Sequence, residues 1–308
     1  MMTNLETAKY KPKITISSES LKMLPRLHAY GIVIIPILGL IFAIAYATQS
    51  GVSRIAISLF LVMWMTSGIG IEVGFHRYLS HNAFQTSKPI RAILTILGAM
   101  AGQGPPIYWV ATHRRHHQYS DVEGDAHSPH LHDHPWRGLW HAHLGWIFDL
   151  ELTNTYLFAK DLIKDPIVAK INQYYFAWIF LGLALPTLIG GLIAGSLAGA
   201  LSGFFWGGLV RIFVAQHVTY AVNSICHFYG KRSFKTADQS TNNFWLAIPT
   251  WGGSWHNNHH AFPDSAINGL EWWQIDPSGW LIEAMEKIGL VWEVRKTNPE
   301  RIAAKKLI

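Results

Sequence analysis

Apolar and polar positions are sorted along this chain into long blocks, not into the short alternations of a water-soluble fold. Tyr30 to Gln49 contains no charged residue, and neither does Ile55 to Ile71. Each approaches the roughly 20 apolar residues that cross a bilayer, the second once its flanks are included. Only Ser50 to Arg54 separates them, so they form a tight helical hairpin. A second block, Tyr174 to Val210, is also free of charge. As a single helix it would be roughly 55 Å long at 1.5 Å per residue, well beyond the ~30 Å hydrocarbon core. Gly190-Gly191 and Gly195-Ser196 offer a turn near its middle. Four spans follow, at about 30–49, 54–72, 174–194 and 197–219. Pro36 inside the first is tolerable, because lipid-embedded helices carry Pro more often than soluble ones.

Ile93 to Ala101 is too short to cross and runs into Gly102, Gly104, Pro105 and Pro106, so it fits a re-entrant or interfacial helix. The segments 72–173 and 220–308 are polar. Two complete hairpins return the chain to its starting side, which places both segments and the N-terminal arm on one face. The turns on the opposite face hold only Arg54, so the positive-inside rule assigns the polar face to the cytoplasm. The expected architecture is an all-α integral membrane protein with four transmembrane helices under a cytoplasmic helical cap. Its parts are a solvated arm over 1–28, a core domain over 29–295 and a basic tail over 296–308. Met1 to Ser20 lacks an apolar core followed by a cleavage site, so no signal peptide is expected.

Composition sharpens this picture. Half the 308 residues are apolar and only 14% are charged, against about a quarter in a soluble domain. Fourteen tryptophans suit a long membrane interface. The formal charge of +6 raises the question of nucleic acid, but the basic residues cluster at the ends and form no stripe, so no nucleic-acid partner is expected. There are 17 histidines and one cysteine, Cys226. A lone cysteine cannot build an internal disulfide, a zinc ribbon or an iron–sulfur site. Any metal must be held by imidazole with help from oxygen donors.

Most of the histidines fall in four clusters, all on the cap side: His76-Arg-Tyr-Leu-Ser-His81, His113-Arg-Arg-His116-His117, Asn223-Ser-Ile-Cys-His227 and His256-Asn-Asn-His259-His260. Residues three and four apart share a helix face, so each HxxHH stretch can aim at a common centre. Its adjacent pair is offset by about 100°, which lets one member reach one metal and its neighbour a second. His76 and His81 are five apart, so a helix end or bulge must fall between them. Asn223 and His227 face the same way. Nine imidazoles exceed what one ion can use, since zinc takes about four ligands and octahedral ions six. Two metals are the economical reading, and softness alone leaves iron, copper, nickel and zinc open. One HxxHH stretch alone could be an ordinary surface helix; two, together with HxxxxH and NxxxH on one membrane side, are not readily coincidental.

His127, His130, His132, His134, His141 and His143 lie in the loop from Asp125 to Leu144, which is expected to be solvated, an accessory metal site being the alternative. His28 is expected at the interface and His217 in a hydrogen-bonded core role. Cys226 is expected to pack. Glu271 to Gly289, with Trp272, Trp273 and Trp280, is expected to lie on the membrane as a helical anchor.

With these motifs assembled, the chain resembles the membrane fatty acyl desaturases, and within them the Δ9, stearoyl-CoA-type group. The boxes HRxxSH, HRxHH and HNxHH and the NSxxHxxG stretch at Asn223 to Gly230 carry the resemblance, which covers about residues 25–295. It implies that 29–295 is a fatty acid desaturase domain binding two ferrous ions. His76, His81, His113, His117 and His259 would hold one, and His116, His227, His256 and His260 the other, with Asn223 reaching it through water. It also implies a bent apolar tunnel shaped by Gln103, Trp109 and Thr219. The implied reaction uses O2 and two electrons to remove hydrogen from adjacent methylenes, leaving a cis double bond, at Δ9 of an acyl-CoA or related acyl carrier or lipid. No HPGG-type haem segment follows the last box, so electrons are expected from a separate donor, ferredoxin or cytochrome b5 with its reductase. A membrane di-iron hydroxylase or ketolase shares the histidine logic but retains oxygen in its product. A metal transporter would place ligands near mid-bilayer, where these spans offer only His217.

Overall fold

A computed structural model describes residues 13–16, 19–149 and 152–307. Four helices are long and apolar enough to cross a membrane: Pro25–Ser50, Arg54–Ser80, Tyr175–Ala194 and Leu197–His227. The first, second and fourth reach further toward the cap than hydropathy marks. Once a helix leaves lipid its backbone bonding continues while polar side chains replace apolar ones, so hydropathy stops before the helix does. Gly195, at φ +59°, ends the third span, and the Ser196 hydroxyl accepts from Gly199 N to start the fourth. Gly190 and Gly199 bring these two helices so close that a Cβ on Gly190 would fall 2.4 Å from Gly199 O.

The second span changes pitch. Arg54–Gly68 is α-helical, and Ile69–Ser80 is π-helical. A π segment bonds each residue to the one five along, so it supplies the irregularity the His76–His81 spacing demands. Lys88–Met100 is a helix packed on this segment. It abuts Gly70 and Gly74, where a Cβ would meet Gly98 N at 2.2 Å and Leu94 O at 2.7 Å. It joins the cap core and does not lie alone on the membrane.

Arg211 is fully buried in the fourth span. Its guanidinium donates to Met100 O at 2.7 Å, Gly182 O at 2.8 Å, Gly207 O at 3.2 Å and Ser67 Oγ at 3.3 Å. It thus ties three spans to Lys88–Met100. A charge this deep is tolerable because each of the three guanidinium nitrogens donates to oxygen.

The cap comprises Pro106–Tyr119, Pro135–His143, Pro166–Gln173, His256–Ala261, Pro277–Lys287 and Pro299–Lys305, with smaller turns. Its apolar centre includes Val73, Phe75, Phe84, Val110, Ala111 and Ile282. Several expectations change here. The N-terminal arm is not simply solvated: Thr15–Ile16 pairs antiparallel with Leu152–Thr153, while Met1 to Pro12 lie outside the described residues. The basic tail is docked, with Arg301 paired to Asp264 and Lys305 Nζ donating to Ala261 O. The start of the His-rich loop is inside the protein, since Asp125, His127 and Ser128 are buried, whereas His130 to His134 are exposed. The helix expected over 271–289 begins only at Pro277, because Asp276 caps it through Gly279 N. Trp272 and Trp280 remain exposed.

Candidate metal centre

Each histidine box is fixed by the polar residues beside it. Arg77, next to His76, forms a buried bidentate pair with Asp276 at 2.7 and 3.0 Å. Arg114, next to His113, pairs with Asp161 and also donates to Leu79 O, Ser80 O and Phe158 O. Asn257 accepts from Ser233 N and Phe234 N, and Asn258 spans Asn268 O and Gln274 Oε1. The helix His256–Ala261 has only six residues, too few to be stable alone, so these two amides hold it. In the second span the π bond from His81 N to His76 O, at 3.2 Å, brings both imidazoles to one face.

Nine histidines converge into two sets. His76, His81, His113, His117 and His259 form one; His116, His227, His256 and His260 form the other. These are the two sets the family resemblance implies. Nε2 atoms face each other at 3.0 Å (His76–His259), 2.9 Å (His259–His117), 2.8 Å (His81–His113) and 2.8 Å (His227–His256). Imidazole nitrogens bind a divalent ion at roughly 2.1 Å, so two on one ion at a right angle lie roughly 3.0 Å apart.

Four carboxylates behind the histidines were not foreseen. His76 Nδ1 donates to Glu72 at 2.9 Å, His116 Nδ1 to Asp125 at 2.9 Å, His227 Nδ1 to Asp121 at 2.8 Å and His260 Nδ1 to Asp238 at 3.0 Å. A carboxylate only accepts, so each of these rings carries its proton on Nδ1 and leaves Nε2 bare. The bare Nε2 atoms of His116 and His260 are buried without a donor among the described residues. Such orphaned acceptors fit a metal ion. Glu72 precedes His76 by four residues on one helix, a signal open to notice; Asp121 reaches His227 from a distant part of the chain, and Asp125 and Asp238 have no helical spacing to their partners.

Electrostatics favour a neutral ring at six of the nine histidines. Burial, followed by neighbouring imidazoles, holds His81, His113, His117, His256 and His259 well below the usual histidine range. Burial lowers His260 to about 4, against the pull of Asp238. His116 is raised instead: burial opposes protonation, but the Asp125 carboxylate outweighs it. His127, its ring centroid 4.4 Å from that of His116, is lowered by burial to about 3.

The other expected residues are placed as follows. Gln103 Nε2 donates to Thr219 Oγ1 at 3.0 Å and Ala215 O at 3.1 Å. Gln103 lies on the walls of two cavities. One, of about 370 Å³, is lined by Ile16, Pro25, Ile32, Tyr108, Trp146 and Tyr175 among others. The other, about 20 Å³, is bordered by Glu72, Thr219, Val222, Trp64 and Trp251. Trp109 instead stacks on His113, centroids 5.3 Å apart. Asn223 is half-buried one turn before His227. Cys226 is buried and free, and His217 Nδ1 meets His143 Nε2 at 2.9 Å. His28 lies 3.3 Å from the Tyr175 hydroxyl.

A fatty acid desaturase family model matches residues 25–293. The hex-5-enoyl-[acyl-carrier protein] acetylenase of Moorena producens (strain JHB) is 47% identical, over 99% of this chain and 97% of its own length. The sn-1 stearoyl-lipid 9-desaturase of Anabaena variabilis is 37% identical, over 78% of this chain and 84% of its own. The Delta-9 acyl-lipid desaturase 1 of Arabidopsis thaliana is 38% identical, over 78% and 75%.

Proposed function

Because the chain belongs to the fatty acid desaturase family, an all-α integral membrane fold, we propose that it is a di-iron, O2-dependent desaturase of a short acyl chain carried as a thioester. The observation that carries this reading is the continuity of centre and cavity: Glu72, which orients His76, also lines the cavity beyond Gln103 and Thr219. His76, His81, His113, His117 and His259 would hold one iron. His116, His227, His256 and His260 would hold the other, with Asn223 reaching it through water. When bound, the irons supply the O2 chemistry needed for C–H bonds too strong for side-chain acid–base catalysis.

The chain's own residues do the rest. Glu72, Asp121, Asp125 and Asp238 fix the tautomer of four rings. The Gln103–Thr219 bond sets an elbow between the larger cavity and the small one, so the distance from the thioester to that elbow selects the methylene pair. The apolar walls keep water from that pair. Trp109 braces His113. The 47%-identical relative acts on a carrier-protein-bound hex-5-enoyl chain, and the small size of the cavity beside Gln103 favours a comparably short chain here, on acyl carrier protein or CoA. Lys13 and Arg26, both exposed, lie near Ile16 and Pro25 at the larger cavity and suit an acidic carrier. The His-rich face is assigned to the cytoplasm, where ferredoxin or cytochrome b5 with its reductase supplies electrons.

A second reading, Δ9 desaturation of a long acyl-CoA or acyl lipid, draws on the two 9-desaturase relatives and requires the Trp64 end to open. The test is product analysis of the iron-loaded enzyme with its reductant under labelled O2, offering hexanoyl to stearoyl chains. Unsaturated short chains without label support the proposal. Cis-9 monoenes from long chains alone support the second reading. Oxygenated products refute both and favour a hydroxylase.

A further inference from the structure

The small cavity is bordered by two tryptophans on different elements. Trp64, on the second span, and Trp251, on the segment before the last histidine box, have ring centroids 5.8 Å apart. Trp251 is only 7% exposed, and its indole Nε1–H has no acceptor among the described residues. Gln103 Oε1, on the same cavity wall, is also unpartnered among them. A buried indole N–H ordinarily finds a partner.

The backbone is strained to put that ring there. Trp251 sits at φ +55°, a conformation that bulky residues rarely adopt outside functional sites. Trp251 N donates to Ile248 O at 3.1 Å and Gly252 N to Ala247 O at 2.9 Å. Gly252 packs on Asp276, the partner of Arg77, so a Cβ there would fall 2.1 Å from Asp276 Oδ1. Gly68 completes the seat: a Cβ at that position would lie 2.2 Å from Trp251 Nε1. A strained backbone, a required glycine and an unused donor thus meet at one wall. The cavity, at about 20 Å³, admits one water-sized group, since a water needs roughly 10–15 Å³ on this scale.

We infer that Trp251 recognises the far terminus of the acyl chain, and that its N–H selects a terminus with π electrons over a saturated methyl. The substrate class is a short acyl thioester with a terminal double bond. This rests on the short-chain desaturase reading. N–H to π contacts are individually weak, but the comparison is with a donor left buried and unmet.

The test compares hexanoyl and hex-5-enoyl thioesters with the full-length enzyme in bilayer nanodiscs. One readout is the kcat/KM ratio; the other is the Tm rise caused by non-hydrolysable analogues of each. Wild type is expected to favour the terminal alkene about tenfold, ~1.4 kcal/mol. Trp251→Phe, which keeps a ring and removes the N–H, is expected to bring both ratios toward one. Equal treatment of the two chains by wild type, or an undiminished preference in Trp251→Phe, overturns the inference. Should the variant not fold, the wild-type ratio still decides. Desaturation without terminal preference refutes this inference alone; absence of desaturation on every chain refutes the reading beneath it as well.

Discussion

The two histidine sets are adjacent yet held in different ways. Three of the four rings in the smaller set are backed by aspartates, through His116–Asp125, His227–Asp121 and His260–Asp238. In the larger set only His76 has a carboxylate among the described residues, Glu72; His81 depends on the π segment and His113 stacks on Trp109. Hydrogen-bonded carboxylates fix a ring's tautomer and raise its basicity, while helix pitch and aromatic packing fix only its direction. One set is oriented electrostatically and the other mechanically.

The largest effect expected is from removing a ligand. His260→Ala should lose all product formation and the metal of the smaller set, leaving the larger set loaded; chromatographic product analysis and elemental analysis check both. Full activity in this variant would break the assignment.

Next come the carboxylates. Asp125→Asn or Asp238→Asn should weaken one metal by about 10–100-fold, seen as loss of half the iron in a chelator titration. Glu72→Gln should act on the other metal, and by less, because four of its five rings do not rely on a carboxylate. Equal loss in all three variants would erase the distinction between the sets.

A smaller effect concerns pH. The depressed imidazoles of the metal-free protein, His260 at about 4 among them, stay neutral while their unfolded counterparts titrate near 6.5. Between those values the unfolded chain binds more protons, so stability rises with pH and is lost as pH falls through that window. Urea unfolding of the metal-free protein from pH 7 to 5 should show a falling midpoint; a flat profile would contradict the neutral-ligand account. The least effect expected is a change in preference: Trp64→Ala should shift the optimum toward longer chains, measured by competition among acyl lengths.

Much of this was legible in the residues. Charge-free runs marked the four spans, and Gly195-Ser196 marked the turn between the last two. The spacing of His76 and His81 demanded an irregularity, though not a π segment running from Ile69 to Ser80. What hydropathy could not show was where helices continue into the cap, since polar side chains are no obstacle to helical bonding outside lipid. The carboxylates at Asp121 and Asp125 were hidden for another reason: the loop that carries them looks polar enough for solvent, and only its packing on His116 and His227 buries it. The contact of Trp64 with Trp251 joins distant parts of the chain and has no local signature.

The most direct test of the two-metal account is iron per chain in the purified, anaerobically reconstituted wild-type protein, by elemental analysis against quantitative amino-acid analysis. Two irons per chain is the predicted result. A desaturating enzyme that holds one iron or none would contradict it.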